Sequence, residues 1–221
     1  MFKAVLFDMD GVIVDTEPLH RKAHFQTFQD LNIQVSDKFY NSLIGQTTFS
    51  ICQTVVEHFK LPLSPYTVMD IKRDHYKALF DTSKSLTLMD GVLDLIKDYH
   101  ANGLQLVVAS SSTMENINLI FNRFNLNPYF KGKVSGAELE ASKPHPEIFM
   151  KAADVAGHAI EDCFVIEDSS NGIIAAKEAK AFCVAFKGPH SLAQDYSRAD
   201  RVVESFSDIK FNNLKQLFSL I

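Results

Sequence analysis

The stretch AVLFDMDGVIVDTEPLH, residues 4–20, decides the fold. It places an apolar run before two aspartates, Asp8 and Asp10, and follows them with Gly11 and a second apolar run. An Asp-Gly pair between apolar runs is typical of a β-hairpin, and Asp and Gly also end strands as turns. The other interpretation is that two carboxylates serve a site at the end of a buried strand. The rest of the chain decides between them.

Short apolar runs recur along the chain and predict buried strands. They are Lys3–Phe7, Leu104–Ala109, Lys133–Ser135, Cys163–Ile166, Phe182–Phe186 and Arg201–Val203. Helical patterns separate the later runs, at 91–100, Met114–Phe124, Pro146–Ala156 and Ile173–Ala181. Alternating strands and helices predict an α/β fold in which helices cover both faces of a parallel sheet. We therefore expect a doubly wound, Rossmann-like core.

The segment from about Glu17 to Ser83 interrupts this alternation, because it contains four probable helices and no convincing strand. Pro18 and Pro65 stand near first helical turns, and Gly45 is a stop signal. This pattern predicts a helical cap domain at 16–85, inserted into a core domain formed by 1–15 and 86–221. Such a cap would swing on hinges near 14–16 and 85–88.

Composition excludes several classes of function. The net charge of −5 comes without any Lys/Arg-rich tract, so a nucleic-acid partner is not expected. No apolar stretch reaches the ~18 residues of a membrane span, and the start does not resemble a signal peptide, so we expect a cytoplasmic protein without a membrane partner. Cys52, Cys163 and Cys183 form no C-x-x-C pair, which argues against disulfides and zinc knuckles. His20 and His24 lack the glutamate of H-E-x-x-H.

Polar residues follow several of the predicted strands, where open parallel sheets bind their ligands. These groups are Asp8 and Asp10, Ser110–Thr113, Glu167–Ser170, and Ser142–Pro146 before a helix. Each has an ordinary structural explanation, since serines cap helices and most lysines, such as Lys143, are solvated. Because all four groups are expected at the same edge of the sheet, together they favour a functional site there.

Three carboxylates at this edge, Asp8, Asp10 and Asp168, would repel one another unless a cation lay among them. Hard oxygen ligands of this kind suit Mg²⁺, and the spacing does not fit an EF-hand. With Lys143 and hydroxyl donors beside the metal, the edge would form a phosphate cradle.

Four motifs together resemble one family. They are the D-x-D-G-V-x-x-D-T-E-x-x-H opening, Ser110 at a strand end, S-K-P-x-P and E-D-S-x-x-G. In this order they resemble the haloacid dehalogenase superfamily, and more closely its β-phosphoglucomutase-like branch with a small helical cap. The resemblance covers nearly the whole chain. It implies a Mg²⁺-dependent enzyme, often monomeric, that transfers phosphoryl groups from a small phosphorylated metabolite through an aspartyl-phosphate.

The resemblance also implies roles for individual residues. Asp8 would be the nucleophile and Asp10 the general acid/base, while Ser110, Ser111 and Lys143 would bind the phosphate. Asp8, Asp168 and the main-chain carbonyl of Asp10 would bind Mg²⁺. Glu167 would be a direct ligand or a supporting residue. Candidates for substrate binding in the cap are His20, Gly45, Thr48 and Lys72, together with Lys22, His24, Gln46, Thr47 and Arg73.

Two features of the cap bear on the reaction. Members resembling true β-phosphoglucomutases have an arginine shortly after the glycine equivalent to Gly45 and a tryptophan at the position of His24, and this chain has neither. His20 and Lys72 do match that branch. We therefore expect hydrolysis of a small phosphomonoester such as a sugar phosphate, with β-phosphoglucomutase as the alternative. The acid at Asp10 disfavours a dehalogenase, and the insertion disfavours a non-catalytic phosphorylated receiver.

Overall fold

The computed structural model describes residues 2–43, 47–83, 86–189 and 194–218, and a six-stranded sheet lies at its centre. The strands run parallel in the order β3-β2-β1-β4-β5-β6. Their bounds are β1 Ala4–Phe7, β2 Gln105–Ser110, β3 Gly132–Ser135, β4 Cys163–Glu167, β5 Phe182–Phe186 and β6 Arg201–Val203. The fold class predicted from the sequence, a doubly wound parallel sheet, is confirmed.

The chain divides into two compact units, residues 1–15 with 87–221 and residues 16–86. The second unit contains the helices α1 Glu17–Asp30, α2 Asp37–Asn41, α3 Thr48–Phe59 and α4 Pro65–Thr82. Side-chain oxygens of Ser36, Thr47 and Ser64 accept backbone hydrogen bonds and cap α2, α3 and α4. This helical unit has an apolar core of its own, formed by Phe28, Tyr40, Leu43, Ile51 and Val55.

Helices of the first unit cover both faces of the sheet. They are α5 Val92–Ala101, α6 Met114–Arg123, α7 Glu147–Ala156 and α8 Ser170–Glu178. The unit also contains α9 Phe211–Phe218, which packs on the turn at Phe206–Ile209. Apolar side chains of α7 and α8 form one core cluster with Leu6 and Val165 of the sheet. The strand residues next to these, Phe7 of β1 and Phe164 of β4, lie on the other face of the sheet and pack against Tyr99 of α5. Because both faces of the sheet are buried, the strand sequences are continuous runs of apolar residues.

The order of strands places a topological switch point at β1. This strand pairs with β2 on one side and β4 on the other, with Phe7 opposite both Val108 and Ile166. The residues that follow β1, β2 and β4 therefore lie at one edge of the sheet. Ligands of open α/β sheets bind at such a point.

The boundaries of the predicted elements agree with the sequence patterns to within three residues, and the largest difference is informative. Helix α8 begins at Ser170, three residues before the predicted start at Ile173. Helix α9 was not predicted. No helix in the described part of the chain is long and apolar enough to cross a membrane.

Candidate active site

The turn after β1 brings Asp8 and Asp10 to the carboxyl edge of the sheet. The backbone of Asp8 still belongs to the sheet, since its N–H donates to the carbonyl of Ile166 at 2.9 Å. The chain then folds back on itself, as the N–H of Val14 donates to the carbonyl of Met9 at 3.0 Å. The second apolar run therefore forms a compact turn whose side chains are buried in the core. The alternative interpretation of this stretch, a β-hairpin, does not hold.

Gly11 makes room for Asp168 in this turn. It has a φ of +84°, a left-handed conformation that favours glycine. A Cβ atom at this position would overlap the Asp168 carboxylate, which approaches the Gly11 backbone from the end of β4. The Asp-Gly pair of the sequence therefore shapes a site between two strands, as well as a turn.

Lys143 connects two carboxylates of the site. Its ammonium lies 2.5 Å from Asp8 Oδ1 and 2.8 Å from Glu167 Oε1, and it also donates to the carbonyl of Ala109 at 3.0 Å. The side chain leaves a loop that contains a cis Lys143-Pro144 peptide bond and is buried among these partners at the edge of the sheet. It is therefore a fixed cation beside Asp8 and not a solvated surface lysine.

Two serine hydroxyl groups contact Asp10. Its Oδ2 accepts hydrogen bonds from Ser112 Oγ at 3.0 Å and from Ser110 Oγ at 3.3 Å. Ser110 is buried at the end of β2, whereas Ser111, predicted to bind phosphate, is exposed. Ser112 is a site residue that the sequence pattern did not single out. A buried hydroxyl, Ser135 Oγ, donates to the Ser112 carbonyl at 2.8 Å and fixes this loop.

Glu167 has both carboxylate oxygens engaged. Oε1 accepts from Lys143, and Oε2 accepts from the N–H of Ser169 at 2.6 Å and from its hydroxyl at 2.9 Å. Gly172 in the first turn of α8 allows this arrangement, because a Cβ atom there would overlap the Glu167 carboxylate. With its oxygens committed in this way, Glu167 is better suited to support Lys143 than to be a direct metal ligand.

The cluster carries more negative charge than Lys143 balances. Burial raises the pKa of Asp8, and the neighbouring Glu167 and Asp10 add to this effect while Lys143 opposes it. Burial likewise raises the pKa of Asp168, and Glu167 and Asp8 raise it further. Burial alone would lower the pKa of Lys143, but Asp8 and Glu167 hold it above its usual range, so this lysine stays charged.

A divalent cation fits this electrostatic imbalance. Burial is the main cause of the raised carboxyl pKa values, and repulsion by the neighbouring carboxylates adds to it. A bound cation would favour the ionised forms that burial and repulsion disfavour. The donors are oxygens, the ligand type that Mg²⁺ prefers. The described residues include no group of three His, Cys, Asp or Glu side chains arranged to hold a metal. A Mg²⁺ site would therefore need a main-chain ligand beside Asp8 and Asp168, for which the Asp10 carbonyl is the candidate.

The predicted substrate residues of the helical unit occupy different environments. Lys72 is buried, and its ammonium lies 2.7 Å from His20 Nδ1. The His20 ring stacks on Tyr76 at a centroid distance of 4.5 Å. Thr48 is half-buried at the start of α3, and Gly45 lies outside the described residues.

His24 is buried close to this pair, between the rings of Phe28 and Tyr40. Burial lowers the pKa of His24 to about 3, and the charges of Lys72 and His20 act in the same direction. The folded protein therefore keeps this imidazole neutral. The unfolded chain protonates it near its ordinary pKa of about 6.5.

Acid is expected to destabilise the protein through His24. The contribution of this neutral histidine to stability is complete above about pH 6.5 and declines as the pH falls towards 3, by up to about 1.4 kcal/mol per pH unit. We expect His24→Phe and His24→Gln to remove this slope, because neither side chain titrates. Urea unfolding of metal-free protein between pH 7 and pH 4.5 measures it. Equal slopes in wild type and both variants would contradict the prediction.

The chain matches the model of the haloacid dehalogenase-like hydrolase family over residues 5–186. The chain is also similar to fructose-1-phosphate phosphatase YqaB of Escherichia coli (strain K12), with 29% identity over 80% of this chain and 93% of that protein. The match to the family model includes the turn after β1 and the loops that carry Ser110, Lys143 and Asp168.

Two solved structures resemble the chain over nearly its full length. One is a mutant of CbbY from Rhodobacter sphaeroides in complex with xylulose-(1,5)bisphosphate, with a TM-score of 0.83 and 27% identity over 94% of this chain and 96% of that chain. The other is β-phosphoglucomutase from Clostridium difficile, with a TM-score of 0.82 and 26% identity over 100% of this chain and 98% of that chain.

Proposed function

Because the chain belongs to the haloacid dehalogenase-like hydrolases, an enzyme family, we propose that it hydrolyses small phosphomonoesters through an aspartyl-phosphate at Asp8. The observation that carries the proposal is the contrast between two neighbouring carboxylates. Asp8 is paired with a buried ammonium, whereas Asp10 is half-buried and accepts bonds from two hydroxyls. Two acids in different environments are what a nucleophile and a general acid require.

In the first step, a carboxylate oxygen of Asp8 attacks the phosphorus and forms an acyl-phosphate bond. The ester P–O bond breaks, and Asp10 donates a proton to the departing oxygen. Lys143, which lies 2.5 Å from Asp8, neutralises charge on the transferring group. Ser110 and Ser112 hold Asp10 at the reacting edge.

In the second step, Asp10 has lost its proton and can take one from a water molecule. This water attacks the phosphorus, the acyl-phosphate bond breaks, and inorganic phosphate leaves with Asp8 restored as a carboxylate. Uncatalysed hydrolysis of phosphomonoesters is slow enough that enzymes accelerate it by up to ~10²¹-fold. Positioning, acid catalysis and charge neutralisation must therefore act together.

We propose that Asp8, Asp168 and the main-chain carbonyl of Asp10 hold Mg²⁺. The ion would supply charge neutralisation on the transferring phosphoryl group. The uncompensated negative charge around Asp8 and Asp168 supports this proposal. Glu167 would act indirectly, by fixing Lys143 and the Ser169 backbone.

We further propose that the helical unit chooses the substrate, and that the substrate is a sugar phosphate. The similarity to a fructose-1-phosphate phosphatase supports hydrolysis. The similarity to a β-phosphoglucomutase keeps isomerisation of β-glucose 1-phosphate as the second candidate. Against that candidate, Thr47 and Thr48 follow Gln46 where a bisphosphate-binding arginine would be expected, and hydroxyls do not replace a bidentate guanidinium.

The test is a steady-state panel of sugar phosphates, phosphoglycolate and pyrophosphate with Mg²⁺, repeated after exhaustive chelation. We expect release of inorganic phosphate from at least one sugar phosphate, lost on chelation and restored by added Mg²⁺. Unchanged activity after chelation would contradict the metal assignment.

A second arm separates the two reactions. The enzyme is given β-glucose 1-phosphate with a catalytic trace of the 1,6-bisphosphate, and glucose 6-phosphate is compared with inorganic phosphate. We expect phosphate to exceed glucose 6-phosphate. An excess of glucose 6-phosphate over inorganic phosphate would make the mutase the better assignment. Another cationic side chain would then have to bind the second phosphate in place of the arginine that this chain lacks.

A further inference from the structure

The segment 194–200 lies along helix α8 and contacts it at both ends. At the start of the helix, Gln194 Oε1 accepts hydrogen bonds from the N–H of Ser170 at 2.7 Å and from its hydroxyl at 3.0 Å. At the other end, Asp200 accepts from Lys177 Nζ at 2.6 Å. The segment follows β5 and contains none of the family motifs named above.

The contact of Gln194 falls next to the proposed metal loop. Asp168 stands between Glu167, which is held by Lys143, and Ser169, whose N–H and hydroxyl bind Glu167. Ser170 continues the same backbone, and the N–H of Asp195 donates to its hydroxyl at 2.6 Å. The loop is therefore fixed by Glu167 from the sheet side and by segment 194–200 from the other side.

The first N–H groups of a helix have no partner within the helix and need other acceptors. In α8, Ser169 Oγ accepts from the N–H of Gly172 at 3.1 Å, and Gln194 accepts from that of Ser170. Losing the Gln194 acceptor would leave this half-buried N–H to find another partner, and the adjoining loop would move to satisfy it. The Asp168 carboxylate has little tolerance for such movement, because it lies directly against Gly11.

We propose that Gln194 is a positioning residue for Asp168, and that it sets the affinity of the active site for Mg²⁺. The inference rests on the proposed function, in which Asp168 is a metal ligand. Residues that orient metal ligands typically contribute about 10- to 100-fold in metal affinity. A side chain that only capped α8 would instead contribute to stability and leave metal affinity unchanged.

The experiment is calorimetric titration of metal-free protein with Mg²⁺, alongside thermal unfolding of each variant. Gln194→Met keeps the length of the side chain and removes the acceptor, so we expect its Kd for Mg²⁺ to rise about tenfold. Gln194→Glu keeps an acceptor oxygen and is expected to bind Mg²⁺ within about threefold of wild type or more tightly. At saturating Mg²⁺ the turnover of Gln194→Met should recover.

Ser64→Ala is the control, because it removes a side-chain acceptor from the first turn of a helix in the other unit, α4. We expect it to lower the unfolding temperature and leave the Kd for Mg²⁺ unchanged. If Gln194→Met does not fold, Ser170→Ala takes its place, since it removes one of the two bonds to Gln194, and it too is expected to weaken Mg²⁺ binding.

The outcomes separate this inference from the proposed function. A wild-type protein that binds no Mg²⁺ would overturn the metal site and this inference with it. A wild type that binds Mg²⁺ no more tightly than Gln194→Met would overturn the role of Gln194 alone. Weakening by Gln194→Glu as large as by Gln194→Met, or equal weakening by Ser64→Ala, would also overturn that role.

Discussion

Replacing Asp8 by asparagine is expected to lower the rate of phosphate release by about 10⁴-fold or more, the scale on which enzymes lose activity without their nucleophile. The neutral amide has no charged oxygen to attack phosphorus. The variant should fold normally, because the amide oxygen can still accept from Lys143 and one buried negative charge is removed from the cluster. Steady-state phosphate release, together with trapping of a hydroxylamine-sensitive phosphoprotein, measures the effect.

Asp10→Asn is the matched control for this experiment. It keeps the nucleophile and removes the proton donor, which is worth about 10²–10⁴-fold. Its loss should be smaller with a nitrophenyl ester, whose leaving group needs no proton, than with an alkyl phosphate. The loss in Asp8→Asn should be the same for both esters. Near-normal turnover by Asp8→Asn would place the nucleophile elsewhere.

Replacing Lys143 by methionine is expected to abolish activity and to lower the free energy of unfolding by about 3–5 kcal/mol at neutral pH, the usual cost of removing one partner from a buried ion pair. Methionine preserves the packing of the side chain against Phe149, over which the ammonium lies at 4.9 Å. The loss therefore comes from leaving Asp8 and Glu167 as buried acids without a cation. Urea unfolding at pH 7.5 measures it.

A second substitution distinguishes charge from packing in this variant. Glu167→Gln removes one uncompensated charge and keeps an oxygen that can accept from Ser169. We expect the double variant Lys143→Met/Glu167→Gln to recover part of the lost stability and none of the activity, giving a coupling energy between the two positions. Additive losses of stability would show that the buried ion pair is not the source of the effect.

The strands were predictable because parallel strands covered on both faces carry continuous apolar runs. The bounds of β5 and β6 agree with the patterns at Phe182–Phe186 and Arg201–Val203. The start of α8 was less predictable, because Ser170-Asn171-Gly172 has the composition of a loop. Gly172 nevertheless lies in the first turn of the helix, and the Glu167 carboxylate occupies the space that a side chain there would need. Such a tertiary contact has no local signal in the sequence.

Within the candidate site, the sequence predicted that Asp8, Lys143 and Glu167 lie at one edge of the sheet. Strand order explains this for Asp8 and Glu167, which stand at the ends of β1 and β4, whereas Lys143 lies in the loop before α7. Which hydroxyl of the serine run reaches Asp10 depends on loop geometry. Ser112 contacts Asp10 while Ser111 is exposed, and Ser135 of β3 donates to the Ser112 carbonyl in the same loop. The roles of these residues in catalysis, and the substrate contacts of the helical unit, remain predictions.

The helical unit leaves the sheet and returns to it at neighbouring points, since the N–H of Asp15 donates to the carbonyl of Thr87 at 3.1 Å. Pairing of β1 with β2, in which Ala4 lies opposite Gln105, must therefore close a loop that contains residues 16–86. Loop-closure entropy grows only with the logarithm of length, so this insertion adds about 1 kcal/mol to the cost of pairing. A fold of this kind can exchange inserted domains of very different length during evolution with little thermodynamic penalty to its sheet.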